Sequence, residues 1–247
     1  MPRKPRNYRP CGYYHVINRG VGKKSIFEDE QDYKYFVKLM IEHSAKNDIT
    51  IYAYCLMKNH FHILLSANGD SLSIFMQHIC SLYSMYYNDK YERVGHLFQD
   101  RFKSEEVLDE SYFMTAFRYI IRNPEKAGIC KVAKYRWHSL YLPSSVNKFV
   151  NLSLPIKLGG GIDCLKEYVL TPNNDVCMEA ENVISDEEAT EIILRQFHVK
   201  DCKEIMDFSK DEKIKAIKKL SHIGLSQRQI ERLTGVTRQQ VRTIMKK

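Results

Sequence analysis

The chain has 247 residues, 44% apolar and 28% charged, a balance that fits a folded globular protein and excludes bulk disorder. A single hydrophobic core stops growing near roughly 250–300 residues, so two domains are expected rather than one. The net charge is +8, no run of about 18 apolar residues occurs, and no apolar stretch follows the basic opening MPRKPRNYRP, so neither a membrane partner nor a leader is expected and a cytoplasmic location follows.

The first expected element is a strand over 12–19, GYYHVINR, rich in β-branched and aromatic residues and closed by Gly20 and Gly22. From Gln31 to Asn47 apolar residues recur at Tyr33, Phe36, Val37, Met40 and Ile41, the stripe of an amphipathic helix. Two strands follow, ITIYAYCLM (49–57) and HFHILLS (60–66), and the two-residue link Lys58-Asn59 is short enough for an antiparallel hairpin. Ser71 is placed to cap a second helix whose apolar face runs through Phe75, Ile79, Leu82 and Tyr86. A further strand is expected from Leu97 to Val107, with Phe98 and Phe102 on one face and Gln99, Arg101 and Lys103 on the other. A third helix spans Ser111 to Asn123 around Phe113, Phe117 and Ile120, and Pro124 is expected to stop it. The order strand, helix, strand, strand, helix, strand, helix implies an α+β fold with a ferredoxin-like antiparallel sheet and packed helices.

Turn-forming residues crowd 143–184, including Gly159-Gly160-Gly161 and Thr171-Pro172-Asn173-Asn174. Three segments are therefore expected: a first domain over 1–145, a connector over 146–184 and a smaller all-α domain over 185–247. Charge divides along similar lines. Residues 1–145 carry 21 basic and 15 acidic side chains, 146–209 carry 6 and 12, and 210–247 carry 11 and 3. Two basic modules flanking an acidic stretch suit two surfaces that face a polyanion, with nucleic acid the leading partner; surplus lysine that merely keeps the chain soluble is the plain alternative. The seven cysteines, with no Cys-x-x-Cys pair, read as reduced, mostly buried thiols.

His60 and His62 stand two apart in a strand, so their rings leave the same face and could take two adjacent positions on one divalent ion. Surface or hydrogen-bonded histidines are the plainer reading of that spacing. Tyr119 and Asn123, four apart, share a helix face; a core aromatic and a C-terminal cap are the plainer reading there. His15 and Arg19 lie on one face of the first strand, and Arg101, Lys103, Arg118 and Arg122 join them as candidate phosphate contacts, each open to being a solvated charge. Tyr13 and Tyr14 are available to stack bases. Near the end, SQRQIERLTGVTRQQVRTIM places Ser226 and Thr237 as caps of two short helices, with Gln229 and Gln240 three residues on and Gly235 between them. Ile230, Leu233, Val236, Val241 and Ile244 supply buried positions, and an ordinary helical hairpin would share the pattern.

KNHFHILL resembles the histidine-hydrophobic-histidine (HUH) motif of the single-tyrosine transposases, and RYIIRNPEKAG resembles their catalytic-tyrosine helix. YYHVINRG and GHLFQDRFKSEEV are similar to the REP-associated tyrosine transposase group in particular, and the four motifs span about residues 8–140 in order. The resemblance implies that Tyr119 attacks a backbone phosphate of single-stranded or hairpin DNA and leaves a 5′-phosphotyrosyl enzyme, with Mg²⁺ or Mn²⁺ held by His60, His62 and Asn123. Asn123 stands where transposases of the smallest insertion sequences typically carry glutamine. Residues 226–245 resemble a helix-turn-helix whose second helix presents Arg238, Gln239, Arg242 and Thr243 to duplex DNA, with Glu231 where alanine is usual. A non-catalytic DNA-binding regulator on the same fold, and a phosphodiesterase that uses water, are the competing functions. The resemblance also allows a homodimer, with the tyrosine helix serving its own chain or a partner's.

Overall fold

A computed structural model describes residues 11–140, 149–173, 175, 177–178, 186–223, 225 and 227–245, in two compact units, Met1–Ala180 and Glu181–Lys247. In the first unit, strands β1 (Gly12–Arg19), β2 (Thr50–Met57), β3 (His60–Ala67) and β4 (Lys103–Val107) form one sheet in the order β2-β3-β1-β4. All pairings are antiparallel, with Ile17 opposite His62 and Arg19 opposite His60 across β1 and β3. This is the expected ferredoxin-like arrangement, with the turn at Lys58-Asn59 in place.

Helices α1 (Glu30–Lys46) and α2 (Ser71–Lys90) cover one face of the sheet, packing on Val16, Leu56, Phe61, Ile63 and Leu65. Asp29 and Asp32 form a reciprocal N-terminal cap on α1. Lys90, at the end of α2, donates to both carboxylates at 2.7–2.8 Å, while Tyr86 and Tyr91 donate to Asp32, which is fully buried. One end of each helix is thereby tied to the other.

Several details differ from expectation. In α1 Ile41 is exposed and Leu39 takes its place in the core. The buried face of α2 runs through Met76, Tyr83 and Tyr87, while Leu82 is left partly exposed. A tyrosine can be buried in that phase because its hydroxyl finds a carbonyl: Tyr83 donates to Ile26 O, and Tyr87 to Ser25 O and Glu28 Oε1. Asp70 occupies the N-cap position of α2, and the Ser71 hydroxyl instead donates to Asn68 O. The expected strand over 97–107 is regular only from Lys103, because residues 97–99 follow the end of β1 through single bonds, Val21 N to Leu97 O and Gln99 N to Arg19 O.

The opposite face of the sheet is covered by α3 (Glu110–Lys126), with Phe113, Ala116, Phe117 and Ile120 packed on Ala53, Cys55, Met57 and Leu64. This helix does not stop at Pro124. Bonds from Ala127 N to Asn123 O and Ile129 N to Pro124 O still close the last turn, and Gly128, with φ +70°, ends it.

The stretch expected to be a connector carries two short helices, α4 (Ser153–Leu158) and α5 (Ile162–Leu170), that belong to the first unit. Leu165, Val169 and Cys177 enter the same core as α3. Arg122 donates to Val169 O and Leu170 O at 3.0 and 2.8 Å, satisfying carbonyls at the end of α5. Residues 137–139 and 150–151 hydrogen-bond along the outer side of β2, which protects that sheet edge.

The second unit is all helical: α6 (Asp186–Phe197), α7 (Lys210–Ile223), α8 (Gln227–Thr234) and α9 (Arg238–Met245), with a 3-10 turn at Cys202–Asp207. Its core holds Ile193, Ile205, Leu220, Ile230, Val236 and Val241. Gly235 turns the chain between α8 and α9 at φ +77°, and Thr237 and Gln240 cap α9 reciprocally. The cap expected at Ser226 lies outside the described residues. Among the described residues no helix is long and apolar enough to cross a membrane.

Because Arg122 anchors α5 through charged hydrogen bonds, Arg122→Ala is expected to lower the stability of the first unit by about 2–3 kcal/mol. Limited proteolysis of the variant should show faster cutting within 149–173; protection equal to the wild type would contradict the assignment of that stretch to the first unit.

Candidate active site

Strand alternation puts His60, His62 and Leu64 of β3, and His15, Ile17 and Arg19 of β1, on the face beneath α3. Apolar residues pave most of that face. Toward the Arg19–His60 end the paving gives way to a cleft of about 210 Å³ lined by Arg19, His60, His62, Tyr119, Asn123, Lys126 and Ala127. Tyr119 and Asn123 lie one turn apart on α3, so the helix that buries the sheet also brings a phenol and an amide to the two imidazoles.

The Tyr119 ring centroid lies 5.8 Å from that of His62 and 6.0 Å from that of His15, edge-on to both. The phenol side chain is only 2% exposed, yet it forms part of the cleft wall. Lys126 Nζ stands 4.6 Å from the Tyr119 ring centroid and donates to Asp175 O. His60 Nδ1 is 2.7 Å from Asn59 Oδ1, and His60 Nε2 is 3.3 Å from Asn123 Oδ1. His62 Nδ1 meets His15 Nε2 at 2.9 Å, and those two rings stack at 5.2 Å.

All three histidines are held neutral. Burial pushes His15 down to about 4; burial, with the Arg19 charge adding to it, pushes His60 down to about 4 against a small opposing effect of Asn123. His62 falls well below the ordinary histidine value, first by burial and then by the neighbouring imidazoles and Arg19. Neutral imidazoles are the form that binds metal.

The donor set fits a divalent ion. Asn59 Oδ1 can only accept, so the His60 proton sits on Nδ1, and the bare Nε2 then faces another acceptor, Asn123 Oδ1. A neutral imidazole nitrogen and an amide oxygen 3.3 Å apart are donors that one divalent ion can share. His62 spends Nδ1 on His15 and keeps Nε2 as its remaining donor. The three donors include no carboxylate, and among the described residues no group of three His, Cys, Asp or Glu converges to hold an ion.

Other expected contacts fall elsewhere. His15 is fully buried beneath the cleft, so it cannot touch a phosphate from where it stands. Arg122 is buried and spent on the end of α5, and Arg118 forms a paired ion bridge to Asp175, at 2.7 and 2.9 Å, while lying over the Tyr168 ring. Arg101 is exposed but lines a different cleft, with Asn18, Gln77 and Phe98, on the α2 side of the sheet. Lys103 opens β4, opposite Ile17, and does not line the histidine cleft. Tyr14 is buried against the α1–α2 side, while Tyr13 is partly exposed, its ring edge-on to Tyr52 and Phe113. Lys126 was not singled out from sequence, although its position one turn beyond Asn123 placed it on the same helix face. In the second unit Arg238, Gln239, Arg242 and Thr243 are all exposed on α9, with the Arg238 amide and Nε both directed to Glu231.

Residues 10–123 match the model of a family described as IS200-like transposases. No curated protein matches the chain. Among solved structures the chain is similar to a REP-associated tyrosine transposase bound to a REP hairpin, at 13% identity over 62% of this chain and 93% of that one, with a TM-score of 0.48. It is also similar to a transposase-like protein from Deinococcus radiodurans R1, at 16% identity over 44% and 89% of the two chains, with a TM-score of 0.34.

The depressed histidines carry a consequence for stability. The unfolded chain takes up protons as pH falls through about 6.5, whereas folded His15 and His60 resist until about 4, so stability is expected to fall between those values. Denaturant unfolding of the first unit should show a clear loss from pH 7 to pH 4.5; an unchanged midpoint would contradict neutral burial of these rings.

Proposed function

We propose, from the premise that residues 10–123 are a domain of the IS200-like transposase family, that the first unit nicks and rejoins single-stranded or hairpin DNA with Tyr119 as the nucleophile. The observation that supports this most is the shared cleft: phenol, two imidazoles, an amide and two cations line one cavity of about 210 Å³. The Tyr119 hydroxyl oxygen bonds to phosphorus, the 3′-oxygen leaves and takes a proton, and the products are a 5′-phosphotyrosyl enzyme and a 3′-hydroxyl. The reverse transfer joins strands, because the phenol is regenerated as the phosphate returns to a 3′-oxygen.

The chain's own residues are suited to these steps. Arg19 and Lys126 bring positive charge to the cleft and attract the phosphodiester, whose charge grows as the pentavalent state forms. An unperturbed phenol titrates near 10, so attack at neutral pH needs that charge stabilisation. A divalent ion held by His60, His62 and Asn123, Mn²⁺ matching imidazole and Mg²⁺ matching phosphate, would polarise the scissile phosphate. Tyr119 is only 2% exposed, so a phosphodiester has to enter the cleft itself to meet its oxygen.

In the second unit, α8, the Gly235 turn and α9 act as a helix-turn-helix, with α9 reading the major groove of a duplex. Gln239 and Arg242 offer the side chains suited to adenine and guanine edges. Holding a neighbouring duplex raises the local concentration of the strand to be cut.

Two experiments test these roles. With a labelled hairpin oligonucleotide and Mn²⁺, the wild type is expected to form an adduct that survives denaturation and Tyr119→Phe to form none; an adduct in that variant would remove Tyr119 from the reaction, and its absence in the wild type would favour a non-catalytic binder. Arg242→Ala is expected to weaken duplex binding by about 1–3 kcal/mol while leaving the adduct on a short hairpin intact; unchanged duplex affinity would contradict the role of α9.

A further inference from the structure

We propose that His15 is a positioning residue: its Nε2 accepts the Nδ1 proton of His62 and so fixes the His62 tautomer that presents a bare Nε2 to a metal ion. The inference rests on the reading of His60, His62 and Asn123 as a metal site. Its geometry comes from the sheet. Ile17 is the direct partner of His62, and His15, two residues before it on the same face, is the diagonal neighbour, a separation that two imidazoles can bridge. They do so with 2.9 Å between His15 Nε2 and His62 Nδ1 and with their rings only 24° from parallel.

Between two neutral imidazoles one nitrogen donates and the other accepts. If His15 donated, the proton of His62 would sit on Nε2 and block coordination. For His62 to ligate, it must donate from Nδ1 and His15 must accept. The proton of His15 then lies on its own Nδ1, an atom buried without a hydrogen-bond partner among the described residues. An orphan nitrogen beneath a largely apolar face is unfavourable, and a phenylalanine would fill the same space without it. The imidazole at position 15 is therefore explained by what its other nitrogen does for His62. Metal-bound histidines commonly hand their second N–H to an acceptor that sets ring orientation and basicity; in this chain that acceptor is another histidine rather than a carboxylate or carbonyl.

Two substitutions separate this role from mere filling of space. His15→Phe keeps an aromatic volume and removes the acceptor. His15→Gln keeps an acceptor oxygen four bonds from Cα, the same distance as the imidazole Nε2. Titration calorimetry of the full chain with Mn²⁺ alone should show affinity falling about 10–100-fold in His15→Phe and most of that loss recovered in His15→Gln. Thermal unfolding of both variants without metal should remain cooperative, so that a fall in Mn²⁺ affinity does not reflect lost folding; His15→Phe exchanges the unpaired His15 Nδ1 for an unpaired His62 Nδ1. Wild-type Mn²⁺ affinity in His15→Phe, or equal losses in both variants, would overturn the positioning role and leave the metal site standing. A wild-type chain that binds no Mn²⁺ would instead remove the metal site, and the role of His15 with it.

Discussion

A four-stranded sheet has two faces to bury, and here the second face must also hold polar chemistry. Helix α3 resolves that conflict by lying over β2 and β3 with its apolar residues on Ala53, Cys55 and Leu64, while Tyr119 and Asn123 of the same helix reach the histidine end of β3. Everything proposed for the site depends on this one packing. The two-residue period of β3 fixes which side the imidazoles leave, and the 3.6-residue period of α3 fixes that the phenol and amide arrive together. Neither group needs a flexible loop to hold it, so the constellation is set by the same contacts that stabilise the fold.

Electrostatics separate the basic residues into two kinds. Arg118 and Arg122 are consumed in holding the 149–173 stretch and Asp175 against α3 rather than offering charge to a ligand. Arg19 and Lys126 line the cleft itself. Burial keeps the three imidazoles neutral, so the positive charge at the cleft comes from those two side chains and from any ion the imidazoles hold. A partly enclosed pocket strengthens such charges compared with open solvent.

The order of strands and helices as far as α3 could be read from the sequence because those elements carry the two-residue or 3.6-residue period, and the short turn at Lys58-Asn59 fixed that β2 pairs with β3. Where a residue has a polar tip, period alone misjudged it. Tyr83 and Tyr87 are buried because the 25–28 loop supplies oxygen partners that no local pattern reveals, and Leu82 is displaced from the face by that gain. Pro124 does not break α3, because local bonds such as Ala127 N to Asn123 O close its last turn, whereas Gly159–Gly161 do separate α4 from α5, and it is the apolar faces of those two helices that hold them to the first unit. The site was visible as spacing, His60 with His62 and Tyr119 with Asn123. That His15 would turn inward to His62, and Arg122 inward to α5, depends on pairing register and on helices distant in sequence, which one strand or helix cannot disclose.

The chain contains sixteen tyrosines, and the proposed commitment to covalent attachment falls on one of them, Tyr119. Digesting the denaturation-resistant adduct with trypsin and nuclease, then sequencing the modified peptide by mass spectrometry, tests that commitment most directly. The nucleotide mass should sit on the phenolic oxygen of Tyr119 within peptide 119–122. Attachment to any other tyrosine, or complete strand cleavage with no modified peptide, would contradict it.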